Sequence, residues 1–415
     1  MPTTSRLIRA LALAAAIAGC ATVTAACAGG GDSGNPGGSG ERGAVPGVSD
    51  TEIKLGTFMP LSQTPASAYA PMADAMNAYF AYINDAEGGV HGRRITLIVG
   101  DDHYSPPDTV EVVRRLVERD NVFAIVSGLG DPTHLAVWKY LEERGVPDLF
   151  IASGLSRWTD PVVRTRFGGN PVYLQEGEML GQYIAKEYAG KRLGVLVENS
   201  EGALEGLEGV RRGIEGSDID VVVESYETVQ WDVTAQTQRL KSAGADVIVV
   251  YALPPPAASL VKTAREVLDW SVPIVLTGVD ATELFLDLAG PANAEGMVSV
   301  IFGRQVYETD NPGIRKHHDI MQKYAPSVAP SNITLYGATM AEFLVEGLKR
   351  AGRDLTRDSL IDALESMRDV PCEACFAPIS MSPTDHRPIE IERYVRVEDG
   401  KWVPFGDLVN FESAR

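Results

Sequence analysis

Few residues in this chain have the type and spacing for chemistry, and they cluster in four short loops. The first is Met59-Pro-Leu-Ser-Gln-Thr-Pro-Ala-Ser-Ala-Tyr69, where Ser62 and Tyr69 offer hydroxyls and a ring ahead of a helix. The second, Ser127-Gly-Leu-Gly-Asp-Pro-Thr133, opens a helix with Asp131 and Thr133; Asp131 is either a site carboxylate or an N-cap. The third, Ala152-Ser-Gly-Leu-Ser-Arg-Trp158, supplies Ser153, Gly154, Ser156 and Trp158. The fourth, Thr277-Gly-Val-Asp280, places one carboxylate where it is either a helix cap or the receiver of a cationic ligand group. Hydroxyls, small residues and single charges suit the orientation of a small polar solute.

These residues do not assemble a catalytic set. The chain contains no H-E-x-x-H, Walker A or G-x-S-x-G string, and Gly128-x-Gly130 lacks the third glycine of a dinucleotide fingerprint. Gly31-Asp-Ser-Gly34 resembles a serine-protease nucleophile string, but it lies in a glycine-rich stretch with no scaffold. The pair Cys372-x-x-Cys375 is too small for a closed zinc site. In an exported chain it reads as a structural disulfide closing a tight loop. No metal and no cofactor are expected, and the chain is not expected to be an enzyme.

The elements that must position these loops alternate. Strand patterns at 52–58, 94–99, 122–126 and 148–151 are interleaved with helical patterns at 68–84, 108–119 and 133–144. A second series follows, with strands at 192–197, 221–226, 247–251 and 274–276 and helices at 176–188, 205–215, 233–243 and 257–269. Such alternation implies parallel strands with helical crossovers. Two series imply two doubly wound, Rossmann-like α/β lobes with a cleft at the strand C-termini. Helices at 314–324, 335–351 and 360–367 and a hairpin at 390–397 and 402–405 complete the chain.

Composition narrows the partners. The 415 residues are 45% hydrophobic and carry a formal charge of −19, a field that disfavours nucleic acid. Residues 1–26 read as a signal peptide: Arg6 and Arg9, an apolar run, then small residues before a cysteine. Cys27 precedes a Gly/Ser-rich tether over 27–47 and is the expected site of lipidation, with Cys20 the alternative. The expected location is extracytoplasmic, anchored at the membrane.

Three stretches carry a family resemblance: Gly47-Val-Ser-Asp-Thr-Glu-Ile-Lys-Leu-Gly56 with Pro60-Leu-Ser62, residues 84–94 with Gly88-Gly-Val-His-Gly92, and Ser382-Pro-Thr-Asp-His-Arg-Pro388. In their order and spacing the chain resembles the type I periplasmic binding proteins, in particular the branched-chain amino-acid group that serves ABC transporters. The resemblance implies three crossings between lobes, with lobe 1 at 48–172 plus 302–375 and lobe 2 at 173–301 plus 376–415. It implies hinge closure on a solute, delivery to a membrane permease, and a monomer. A ligand-sensing receptor of the same fold, signalling to a separate membrane partner, is the alternative.

Position by position, the resemblance puts Tyr69 at a cleft tyrosine, Gly154 and Ser156 at the ligand carboxylate, and Asp280 at the ligand ammonium. It also marks two departures. Asp131 stands where the family has a carboxylate-binding Ser or Thr, with Thr133 near, and Gly202 stands where it has an aromatic. A ligand larger than leucine or less anionic follows, with Trp158 and the freed space suited to an aromatic acid and Arg157 available to offset Asp131.

Overall fold

The computed structural model describes residues 45–411. The leader, Cys20, Cys27 and the tether as far as residue 44 lie outside the described residues.

The first sheet contains β1 (Glu52–Met59), β2 (Arg94–Asp101), β3 (Ile125–Val126), β4 (Asp148–Ile151) and β5 (Arg166–Gly168) in the order β2-β1-β3-β4-β5, all parallel. Helices α1 (Pro71–Ala86), α2 (Pro106–Arg114) and α3 (Asp131–Glu143) make the crossovers. The strand order reverses at β1 and β3, which opens a crevice beyond their C-terminal ends. The loops holding Tyr69 and Asp131 leave from those two ends.

The second sheet repeats the plan. It takes α4 (Tyr173–Glu187), β6 (Arg192–Glu198), α5 (Glu201–Gly213), β7 (Asp220–Tyr226), α6 (Thr234–Ser242), β8 (Val247–Tyr251), α7 (Pro254–Lys262), β9 (Ile274–Leu276), α8 (Glu283–Ala289), α9 (Pro291–Ala294) and β10 (Val298–Ile301). Strands β7-β6-β8-β9-β10 are parallel, with their reversal at β6 and β8.

From β10 the chain returns to the first lobe as α10 (Pro312–Tyr324), α11 (Asn332–Ala351) and α12 (Arg357–Glu365). Phe343 and Leu344 of α11 share a core with Leu55, Phe80 and Phe150. Capping boxes at Ser331/Thr334 and Thr356/Ser359 fix where α11 and α12 begin. The chain then crosses once more to β11 (Ile391–Glu398), β12 (Lys401–Pro404) and β13 (Val409–Asn410), which extend the second sheet antiparallel. Three segments therefore pass between the lobes: 169–172, 302–311 and 366–390.

One packing feature bears directly on the site. A Cβ on Gly177 of α4 would lie 2.2 Å from the Gly206 carbonyl oxygen, and one on Gly209 of α5 would lie 2.2 Å from that of Leu174. The two helices thus meet backbone to backbone, which clamps the α5 N-terminus beside the start of α4.

Candidate functional site: a cavity between the lobes

A cavity of about 160 Å³ lies between the two lobes. It is close in size to engineered apolar cavities of about 150 Å³ that admit benzene. The first lobe contributes Tyr69, Met72, Tyr104, Leu129 and Asp131, and the second Leu253, Val279 and Ala281. Its hinge end is made by the crossing segments, through Phe302, Arg304, Ala374 and Cys375, beside Tyr336 and Met340 of α11. Hydrocarbon and aromatic rings dominate the wall, so the occupant it favours has an apolar body.

The lobes touch at defined points around this cavity. The Tyr69 hydroxyl donates to the Val279 carbonyl across the cleft at 3.2 Å. Asp131 is the first residue of α3, with Gly130 at the N-cap position, and its buried carboxylate accepts from the Ser153 hydroxyl. Burial pushes that carboxyl up, against the lowering pull of Ser153, His134 and the Gly202 backbone. Gly202 has to be glycine for this approach, because a Cβ there would stand 1.9 Å from Asp131 Oδ2. An aromatic at 202 cannot coexist with Asp131 in these positions. The two departures from the family pattern are one spatial event.

Ser156 turns both of its donors to the other lobe. Its N–H lies 3.0 Å from Glu205 Oε1 and its hydroxyl 2.9 Å from Glu205 Oε2. Arg157 points outward to an exposed pair with Glu201 at 3.0 Å, so it does not offset Asp131. Asp280 closes the turn Gly278–Asp280, fully buried, with neither carboxylate oxygen bonded. Thr282 is the cap of the following helix, so the cap reading of Asp280 is set aside. Its neighbours 278, 279, 281 and 282 line the cavity while its own carboxylate stands behind the wall.

Other expected residues fall elsewhere. Thr133 spends its hydroxyl on the Leu129 and Gly130 carbonyls of its own helix turn. Trp158 is in the core, its indole N–H on Ser153 and its ring beside His134, because an aromatic that size gains more from burial than from a cleft edge. Ser153 itself bridges Asp131 and Trp158 behind the cavity. Ser62 is half-buried outside the lining, and Gly154 is packed against Pro171 and the Tyr173 ring. Cys372 and Cys375 form a disulfide, and Cys375 lines the cavity.

Four further groups matter that the loop reading passed over. Tyr104 reaches the cavity from the loop after β2, with a left-handed φ of 56° held by the bond from its N–H to Asp102. Tyr173 begins α4 and lines the cavity, and Glu176, one turn on, accepts from Thr277 at 2.6 Å. Glu198 ends β6 and accepts from the Tyr226 hydroxyl at 2.9 Å. Burial raises Glu176 and Glu198 to about 7 each, and burial and those two neighbours push Asp280 well up. Each followed a strand or opened a helix at the same sheet edge, which was the available signal. Among the described residues no group of three or more His, Cys, Asp or Glu converges as a metal site.

Comparison with known proteins agrees with this architecture. A family model described as periplasmic binding protein matches residues 52–401. The Leu/Ile/Val-binding protein homolog 2 of Brucella abortus is 25% identical over 370 residues, covering 86% of this chain and 95% of the relative. A crystallised branched chain amino acid ABC transporter from Thermus thermophilus with bound valine superposes with a TM-score of 0.78 at 21% identity, over 88% and 97% of the two chains. A solute binding protein of an ABC transporter from Rhodopseudomonas palustris BisB5, in complex with 3,4-dihydroxy benzoic acid, gives 0.74 at 22%, over 86% and 97%. At those identities the two structures speak for the fold, whereas the family match spans most of the chain. With its two α/β lobes, three crossings and a cavity between the lobes, the chain belongs to the periplasmic binding protein family, a family of binding proteins rather than enzymes.

Proposed function

We propose that this chain is the extracytoplasmic substrate-binding lipoprotein of an ABC importer, which captures a small solute between its lobes and presents it to a membrane permease. The observation that carries the reading is the cavity itself, lined by both lobes and bridged by Tyr69 and Val279. Lobe 1 is taken as 48–172 plus 302–375 and lobe 2 as 173–301 plus 376–415, hinged at the three crossings. Cys27, or Cys20 in its place, carries the lipid, and the glycine-rich tether after it gives the lobes reach. Tyr69, Asp131, Tyr104 and Tyr173 are assigned to the ligand, with closure selected by contacts to both lobes.

The solute is a small molecule with an apolar body, an aromatic acid or a branched amino acid. The valine and dihydroxybenzoate held by the two structural relatives support that range. A thermal-shift panel of amino acids, aromatic acids, polyamines and small amides tests the reading. A ligand at 100 times its Kd stabilises the native state by about 2.7 kcal/mol. Melting shifts confined to one chemical class are expected; a panel with no shift at all argues against solute capture.

A further inference from the structure

The charges around the cavity are unevenly placed. Asp131 lines it directly, and Asp280 and Glu198 add carboxyl groups behind that region; burial first, and then these groups, raise the pKa of the Tyr69 hydroxyl. At the hinge end Arg304 is the only Lys, Arg or His among the residues lining the cavity. Its place is set by the backbone: its N–H donates to the Ala374 carbonyl at 2.8 Å, tying the second crossing to the third.

The guanidinium has five N–H donors. Among the described residues its one side-chain hydrogen bond runs from Nη1 to Glu308 Oε2 at 3.2 Å. A pair so exposed, with side chains 39% and 32% accessible, contributes little and is readily exchanged for another carboxylate. The Tyr336 hydroxyl, buried and without a partner, lines the same cavity. The rest of the wall is mostly hydrocarbon and ring, with Asn170, Thr282, Gln305, Asn332 and Thr339 the uncharged polar side chains in it.

We propose that Arg304 is the anion anchor of the cavity, and that the ligand is a monocarboxylate with an aromatic or short-chain apolar body, its acid toward the hinge. The inference rests on the cavity being the ligand site, as proposed above. A carboxylate turned the other way would face the acidic groups Asp131, Glu198 and Asp280, with no Lys, Arg or His on the lining there to offset its desolvation. At Arg304 it gains a charge-assisted, planar fork of donors. Its apolar body then lies against Met72, Phe302 and Tyr336.

Calorimetry on the purified protein tests this with paired probes: benzoate against benzamide and benzylamine, and hexanoate against hexanamide. At least one acid is expected to bind about tenfold or more tightly than its amide, and Arg304→Gln to weaken that acid about 10- to 100-fold with the amide unchanged. Glu308→Gln, which keeps an acceptor for the Gln305 N–H, is expected to bind the acid at least as well as the parent. The assignment is overturned if neither acid binds, if an amide or the amine binds better than its acid, or if Arg304→Gln weakens acid and amide alike. It is equally overturned if Glu308→Gln costs as much as Arg304→Gln, which would point to the turn they share. Amide or amine binding without acid binding removes the anchor but leaves solute capture standing, whereas failure of every solute in the thermal panel removes both.

Discussion

The Glu205 carboxylate of the second lobe accepts both donors of Ser156 of the first, at 3.0 Å from the backbone N–H and 2.9 Å from the hydroxyl. Burial raises that carboxyl, while the two Ser156 bonds pull it back down. The lobes are therefore joined by charge-assisted hydrogen bonds beside the cavity, at the very residue the family resemblance gave to a ligand carboxylate. Glu205→Ala is expected to weaken closure by about 1–2 kcal/mol, since the pair is only partly shielded from water. X-ray scattering of the ligand-free protein should then give a larger radius of gyration than the parent; an equal radius would show that the contact does not hold the lobes.

Asp280 is buried with no partner for either oxygen, and Glu176 and Glu198 add to its cost. Such a group persists at the expense of stability. Asp280→Asn keeps the shape and removes the cost of holding a buried carboxyl neutral at a pH where the unfolded chain ionises it. The ligand-free variant should melt higher at pH 7.5, by about 1 °C for each kcal/mol relieved. A lower melting temperature would mean that the carboxylate has a structural partner.

Glu198 carries a pH signature. Its folded-state pKa is raised by burial from 4.5 to about 7, so between those values the native state holds a proton that the unfolded chain releases. Its stabilising contribution is complete below about pH 4.5 and is lost as pH rises through about 7. The slope for one proton is at most about 1.4 kcal/mol per pH unit. Glu198→Gln retains an acceptor for Tyr226 and should flatten the fall in stability between pH 5 and pH 7.5 in urea titrations. A slope identical to the parent would place the titrating group elsewhere, Glu176 being the first alternative.

The lobes were legible in the sequence because β1 and β2 open with polar and apolar residues in alternation, β6 and β8 are centred on apolar runs, and the helices between them keep a clear period. Strands β5 and β10 were not. Three residues at Arg166–Gly168 and a serine inside Val298–Ile301 give no pattern until neighbouring strands supply one. The 122–126 run narrowed to Ile125–Val126 because only those residues pair with β4. The four loops were found from strand ends alone, but strand ends do not say which way a side chain turns. Trp158 went to the core, and Thr133 to its own helix, for that reason. Glu176 on α4 and Glu198 at the end of β6 carry no sequence signal that sets them apart from the chain's other acids. Their burial follows from the approach of β9 and β7, which no local pattern encodes. Tyr336 and Met340 sit on a helix whose apolar face reads the same over a cavity as over a packed core.

The most direct test of capture by lobe closure is Gly202→Ala, measured by calorimetry with whichever solute gives the largest thermal shift. Alanine normally stabilises a helix interior relative to glycine, by about 1 kcal/mol. Here its Cβ would meet Asp131 Oδ2 at 1.9 Å, the Asp131 Cγ at 2.7 Å and the Tyr173 ring at 3.0 Å, and Ser153 keeps Asp131 from yielding. The account predicts an unchanged or higher melting temperature without solute, together with affinity at least about tenfold weaker, or 1.4 kcal/mol. Affinity equal to the parent's would contradict it, because the solute would then bind without the lobes coming together.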